Sequence, residues 1–419
     1  MPPRGLSGDQ DVIVIGAGAA GLAAAAALAR AGRSVLTVEA RDRIGGRCDT
    51  RRLSGIAAPV ELGAEFIHGR PEATLSLLTE AGIPAVDTTR TQRVLFDGKL
   101  RAVDVFAEAR KPMRHAPSND VSFRAFLARQ RLSPLTRALA TMMVQGFDAA
   151  DPRDASALAI VEEWSTALTA SHMRPQGGYL PLLKTLSVPV QLETEVRHVR
   201  WSRGWVEVSG TFRGAPWAAS AAAAVITLPL GVLQAESVRF TPPLEKPFDK
   251  LASGPVIRVA MAFEDAFWEL DHPGVAFFHN PKASFPTFWT PLPMHAPLLT
   301  AWAGGPKAAR LTGSPQQRLV EHAMAAVHSV LGKKRDPVAW LVQDWQADPY
   351  ARGGYSYVRV GGAGAREMLQ RSLEGTLYFA GEATDLEGAG TVGGALQSGM
   401  RAAREIMQLP VQRVSARAP

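Results

Sequence analysis

The sequence predicts an α/β protein in which a β-α-β nucleotide-binding unit is completed by segments far downstream, with an α+β unit inserted between them. Three observations carry that expectation. A short apolar run, Asp11 to Ile15, leads into closely spaced glycines and an alanine-rich stretch ending at Gly32. Helical periodicity dominates from about Pro71 to Leu186. Strand, glycine loop and helix patterns return at the far end, from Leu377 to Met407.

Asp11 to Ile15 reads as a buried strand, Ala20 to Ala31 as a helix and Ser34 to Val38 as the next strand. Helices are expected over Phe123 to Ala128 and Ala157 to Leu168. Strand patterns resume at Val190 to Leu192 and Val196 to Trp201, and Ser202-Arg203-Gly204 turns the chain into Trp205 to Val208. Ala222 to Leu228 is another strand, stopped by Pro229. Phe240 to Trp302 mixes strands and loops, and Gln316 to Leu331 has the spacing of an amphipathic helix. The expected partition is a cofactor domain of residues 1–70, 187–239 and 343–410, a substrate domain of 71–186 and 240–342, and a flexible tail of 411–419.

A length of 419 residues suits two or three cores at roughly 100–200 residues per domain. The 46% hydrophobic and 20% charged content is that of a globular protein. Basic residues exceed acidic ones by seven but form no long run, so no nucleic-acid partner is expected. Cys48 is the single cysteine, which excludes an intrachain disulfide, argues against a cysteine-ligated metal and fits a reducing, cytoplasmic setting. The first ten residues lack a signal-like apolar core, and no run reaches the roughly 18 apolar residues of a membrane span, so no membrane partner is expected. No heptad or charged interface pattern marks an oligomer.

Gly16, Gly18 and Gly21 make G-x-G-x-x-G between the first strand and helix, where small residues let backbone approach a pyrophosphate at a helix N-terminus. Glu39 ends the second strand, 18 residues after Gly21, where a carboxylate accepts from ribose hydroxyls. Its charge disfavours a 2′-phosphate, which leaves FAD and NAD open.

Five segments narrow the choice: EARDRIGGR from Glu39 to Arg47, ELGAEFIHG from Glu61 to Gly69, ITLPLGVL from Ile226 to Leu233, DWQADPYARGGYSYV from Asp344 to Val358, and YFAGEATDLEGAGTVGGALQSGMRAA from Tyr378 to Ala403. Together they resemble the flavin amine oxidase family, in particular its polyamine oxidase and histone demethylase branches. The resemblance implies a Rossmann-like FAD-binding domain. It assigns Gly46 and Arg47 to the pyrophosphate and Arg41 to the adenosine, with Arg43 equally readable as a surface charge. Ala20 in the first loop, Gly63, Ala64 and Glu65 in the second motif, and Gly381, Glu382, Thr391 and Val392 in the last belong to the same cofactor set. Glu382 would meet the ribityl or phosphate region, and a helix starting near Thr391 would aim its positive end at the pyrimidine side of the flavin. Val196 would give adenine its backbone contacts, a strand-edge position being the plain alternative.

The resemblance also implies the chemistry: a hydride equivalent passes from the carbon beside nitrogen to flavin N5, the imine hydrolyses, and O2 reoxidises the cofactor. Tyr355 takes the place of an aromatic-cage tyrosine, Thr391 stands at the second cage position, and Trp345 would lie against the flavin unless it is a core tryptophan. Gly354 occupies the position at which monoamine oxidases carry a flavin-linking cysteine, so non-covalent FAD is expected, and Cys48 reads as a packing residue. His68 falls at the entrance to the reaction site, with a buried structural histidine as the alternative. Trp164, Trp289 and Trp302 could line a pocket or belong to the core.

The main departure from the family is Arg258, where the pattern has lysine. Arginine stays charged and cannot act as a base. A fixed cation about 5 Å from an ammonium costs roughly 3 kcal/mol at an effective dielectric near 20. An amino acid would suffer less, because its carboxylate could pair with Arg258. Polyamine, monoamine and amino acid therefore stay open, beside a flavin dehydrogenase or desaturase and an FAD-stabilised, non-catalytic binding protein.

Overall fold

The computed structural model describes residues 10–165 and 172–408. The expected tail at 411–419, the reading of the first nine residues and the end of the helix expected to reach Leu168 lie outside them.

The first sheet has seven strands. Gln10–Ile15 lies between Val35–Val38 and the end of the long strand Ala215–Ile226, parallel to both. Ala215–Ile226 changes partner along its length. Residues 215–221 pair antiparallel with Trp205–Phe212, and Ala224 to Ile226 pair parallel with Leu377–Phe379. Thr194–Ser202 and Arg239–Thr241 complete the order. The sequence reading caught only the C-terminal half of the long strand, because PWAASAAAA carries few of the β-branched residues that signal a strand.

The helix Ala19–Arg30 packs on this sheet and against the closing helix Val392–Met407. Its alanines make that approach possible. A Cβ on Gly399 would stand 2.1 Å from the carbonyl oxygen of Ala20, so the two helix backbones touch where residue 399 has no side chain.

The second sheet also has seven strands, in the order Ala339–Asp344, Val256–Ala262, Leu298–Gly304, Thr287–Trp289, Phe277–His279, Gln92–Phe96 and Lys99–Ala102. Every residue of Val256–Ala262 is buried. Ile257, Val259 and Met261 face the apolar stripe of Gln316–Leu331, which presents Leu319, Val320, Ala323 and Val327. Alternation along the strand sends Arg258 to the other face. Gln316–Leu331 matches its expected span and ends at Gly332 in the left-handed region. Helices including Phe123–Ala128 and Pro134–Gly146 form a further core with Trp164.

Two expectations differ from the structure. The stretch read as helical contains the hairpin Gln92–Phe96 and Lys99–Ala102, joined by Asp97 and Gly98 at φ 49° and 73°. Residues 190–192 form no strand, and only Gln191 bridges to Val38.

Candidate active site

One cavity of about 1670 Å³ runs from Glu39 past Gly16, Gly18, Gly46 and Arg47 to Trp345, Tyr355 and Arg258, and on to His68 and Trp164. This exceeds the ~300–1,000 Å³ typical of drug-sized ligands and suits a dinucleotide with a small substrate beside it.

At the dinucleotide end, two glycine loops face each other. Gly16 has φ 106°, and a Cβ on Gly21 would lie 1.9 Å from the Gly16 carbonyl oxygen. A Cβ on Gly46 would meet the Gly18 Cα at 3.3 Å. The helix that starts at Ala19 has no side-chain cap, leaving its first N–H groups available to an anion. Ala20 lines the cavity there. Glu39 is buried, and its carboxylate accepts from the backbone N–H of Ala17 at 2.8 Å and of Arg41 at 2.9 Å, which fixes its orientation at the cavity wall. Val196 lines the same end. Arg41 is held by a bidentate pair with Asp348 at 2.9 and 2.8 Å.

Arg47 donates to the Gly354 carbonyl at 2.6 Å and to Glu382 at 3.0 Å. Glu382 also accepts from the Ser356 hydroxyl at 2.7 Å, and Arg366 donates to that hydroxyl at 2.6 Å. Burial alone would raise the Glu382 carboxyl, but Arg47, Arg366 and the Ser356 bond outweigh it and hold it below its ordinary value. Gly381, at φ 139°, turns the chain into this cluster, its N–H bonded to Ser398 at 2.9 Å. Thr391 caps the closing helix by accepting from the Gly394 N–H at 3.0 Å. The N-terminus of this 16-residue helix, with Val392 in its first turn, opens onto the cavity. Glycine loops, an oriented carboxylate and two helix N-termini on one cavity fit the parts of FAD.

At the substrate end Arg258 is buried with both terminal nitrogens engaged, while its Nε has no hydrogen-bond partner among the described residues. It donates to the Gly63 carbonyl at 2.6 Å and pairs with Glu65. Glu65 also accepts from Arg174 at 2.7 Å and from the Trp289 indole at 3.1 Å. Burial lowers Arg258 to about 9, opposed by the charge of Glu61, so it stays cationic at neutral pH. Two guanidiniums share one carboxylate and leave about one net positive charge. With its fork committed to Gly63 and Glu65, Arg258 is not a free clamp for a substrate carboxylate.

Gly63 is confined on both sides, since a Cβ there would meet the Arg47 carbonyl oxygen at 1.8 Å and the Trp345 ring at 3.0 Å. Ala64 donates its N–H to the same Arg47 carbonyl at 3.1 Å. Trp345 is buried on the cavity wall, its indole bonded to the Leu62 carbonyl at 2.9 Å. Tyr355 donates to the Phe147 carbonyl at 2.7 Å and lies parallel to Trp302 at 6.5 Å between centroids. Thr391 lines the same cavity, and the ring stacked on Tyr355 is that of Trp302. Trp164 and Trp289 line the cavity as well.

His68 lines the cavity directly opposite His172 in the short antiparallel pair of Ile67–His68 with His172–Pro175. Burial lowers His68 to about 4 and His172 to about 2. The sequence reading missed His172, Arg174 and Asp148. A histidine followed two residues later by an arginine was the only local sign of the first two, and their partners lie about a hundred residues upstream. Cys48 is buried, and burial pushes its thiol up, as expected of a packing residue.

The description "flavin containing amine oxidoreductase" matches the chain over residues 19–119 and 95–407. Polyamine oxidase 3 of Oryza sativa subsp. japonica is 28% identical over 96% of this chain and 90% of its own length. Lysine-specific histone demethylase 1 homolog 3 of Arabidopsis thaliana is 29% identical over 96% of this chain but 30% of its own length. The chain thus spans between 30% and 62% of the length of these demethylase relatives, with 53% of the human lysine-specific histone demethylase 2 covered. Among solved structures, cyclohexylamine oxidase from Brevibacterium oxydans IH-35A has a TM-score of 0.81 at 22% identity, covering 95% of this chain and 99% of that one. A wild-type putrescine oxidase bound to putrescine has a TM-score of 0.80 at 23% identity, with the same coverage. The fold is therefore the two-domain α/β architecture of these oxidases, and the chain belongs to the flavin-containing amine oxidoreductase family, a family of FAD-dependent oxidoreductases.

Proposed function

We propose that this chain binds FAD non-covalently and oxidises an amine at the carbon beside its nitrogen, with O2 as the terminal acceptor. The observation that carries the reading is the single cavity joining the glycine cradle to the Tyr355–Trp302 wall. Bound FAD supplies the hydride acceptor; the protein has to orient the donor, exclude water and fix the surrounding charge. Tyr355 and Trp302 offer parallel faces to the amine. Trp345 and Gly63 close the wall between the cofactor and substrate ends. Arg258 keeps a cation in that wall without donating or accepting a proton.

Non-covalent attachment is supported at two positions. Gly354 has no room for a side chain, since a Cβ there would meet Val256 Cγ2 at 2.5 Å, and Cys48 is buried with a raised thiol. The similarity to polyamine, putrescine and cyclohexylamine oxidases supports an amine donor, and the committed fork of Arg258 speaks against an amino acid. Fixing that cation also favours a second reading, a dehydrogenase that uses another acceptor, because no lysine stands at residue 258.

Anaerobic stopped-flow absorbance tests the proposal. Bleaching of the flavin band by at least one amine class is expected, and acid precipitation should release the yellow cofactor into the supernatant. A flavin that stays oxidised with every amine would overturn the reaction. Bleaching without reoxidation in air would select the dehydrogenase.

A further inference from the structure

The carboxylate of Glu65 is the meeting point of a charge network that hydride transfer as described above does not use. Its Oε1 accepts from Arg174 Nε at 2.7 Å, its Oε2 pairs with Arg258, and the Trp289 indole donates to that same oxygen at 3.1 Å. The partners come from three parts of the chain. Glu65 precedes the short strand Ile67–His68, Arg174 stands in His172–Pro175, and Arg258 and Trp289 lie on two strands of the second sheet. Each guanidinium is anchored a second time, Arg258 on the Gly63 carbonyl at 2.6 Å and Arg174 on the Leu292 carbonyl at 2.6 Å. Ring faces complete the enclosure, with Arg258 5.0 Å from the Trp289 centroid and Arg174 4.6 Å from that of Phe66.

A single Arg–Glu pair would be neutral. Here two cations share one anion, so the three groups carry one net positive charge in a wall where burial weakens screening. Stability does not call for the second guanidinium, because a buried ion network is often no more stable than apolar packing of the same volume. Glu65 and Arg258 line the cavity with Gly63 and Trp345, between its cofactor and substrate ends.

A charge fixed there bears on electron uptake. Reduction by two electrons and one proton turns a neutral flavin ring into an anion, and a cation held nearby favours the anion. An arginine whose fork is tied to Gly63 and Glu65 neither swings away nor gives up its proton. The charge of the wall is then set by how many guanidiniums and carboxylates the network holds.

We propose that Glu65 is a positioning residue that holds the Arg258 guanidinium in the cavity wall and cancels one of the two cations there, so that the balance of Arg258 and Arg174 against Glu65 sets the reduction potential of the bound flavin. This rests on the FAD-binding half of the reading above and not on the amine, and the test uses no amine. The reduction potential of the FAD-loaded chain is read by anaerobic equilibration with a reference dye at pH 6, where Glu61 keeps its proton. Glu65→Gln leaves two cations and should favour reduction at least about ten-fold, a rise of about 30 mV for a two-electron couple. Arg174→Gln leaves Arg258 and Glu65 to cancel and should shift the equilibrium roughly three- to ten-fold the other way. Arg174→Lys keeps the charge and should stay near the wild-type potential. Loosened packing would instead move all three variants in one direction. If Glu65→Gln does not fold, the two variants at residue 174 carry the comparison, since only the loss of charge should lower the potential. Shifts of one sign in every variant, or equilibria all within about two-fold of wild type, overturn the proposal. A donor panel that leaves the wild-type flavin oxidised overturns the amine-oxidising reading and leaves this comparison standing.

Discussion

The dinucleotide end and the substrate end of the cavity are built by different means. At the first, the decisive atoms are backbone. Gly16, Gly21 and Gly46 matter for what they lack, and Glu39 is oriented by two main-chain N–H groups. At the second, the decisive atoms are side chains from distant segments, with Glu65, Arg174, Arg258 and Trp289 meeting on a single carboxylate. A backbone-built site tolerates no added atom, whereas a site built from charged side chains tolerates no missing partner.

Three changes would break or sharpen that contrast. Gly21→Val should have the largest effect, because its Cβ would fall 1.9 Å from the Gly16 carbonyl oxygen and neither backbone can yield cheaply. The variant should purify without flavin, as read from the ratio of flavin to protein absorbance; full retention would mean that the loop is not a tight cradle. Glu65→Gln should come next. It leaves two buried guanidiniums without their anion, a loss of about 3–5 kcal/mol by analogy with broken buried pairs, visible as a lower melting temperature. An unchanged melting temperature would show that the network adds nothing to stability.

The smallest effect should be seen at Glu61, whose carboxyl burial raises to about 7 against the bonds from Tyr179 and Thr50. In the folded chain it keeps its proton up to about pH 7, whereas the unfolded chain releases it near 4.5. Stability from this group is therefore fully present below about pH 4.5 and lost as pH rises through 7. His68 and His172 act in the opposite sense, costing stability as pH falls below 6.5. Subtracting the wild-type melting curve from that of Glu61→Gln isolates the carboxyl. The variant should gain on the order of 2–3 kcal/mol relative to wild type between pH 5 and pH 8, and a flat difference would mean that Glu61 is ionised throughout.

The same contrast governs what the sequence made legible. Glycine spacing, the carboxylate at the end of the second strand and the apolar stripe of Gln316–Leu331 are local patterns, and each reappears in the structure where it was expected. The hairpin around Asp97 and Gly98 was missed, although Asp-Gly is a local turn signal. It was hidden by the helical pattern on either side. Arg258 stood out only as a departure from a family pattern. That its fork would be taken up by Gly63 and Glu65 could not be read, because the partners lie 195 and 193 residues away. His172 was invisible for a similar reason: its importance comes from facing His68 across two short strands.

The close crossing of Ala19–Arg30 by Val392–Met407 bears on how the protein is made. A ribosome releases the glycine cradle well before the strand Leu377–Phe379 and the helix that complete its sheet and cofactor wall, which follow Gly16 by about 360 residues or more. Until then the edge of Ala215–Ile226 that receives Leu377–Phe379 is unpaired, and the apolar face of the first helix is uncovered. The cofactor cavity is therefore complete only once the segment from Leu377 to Met407 has docked on the first helix and its sheet.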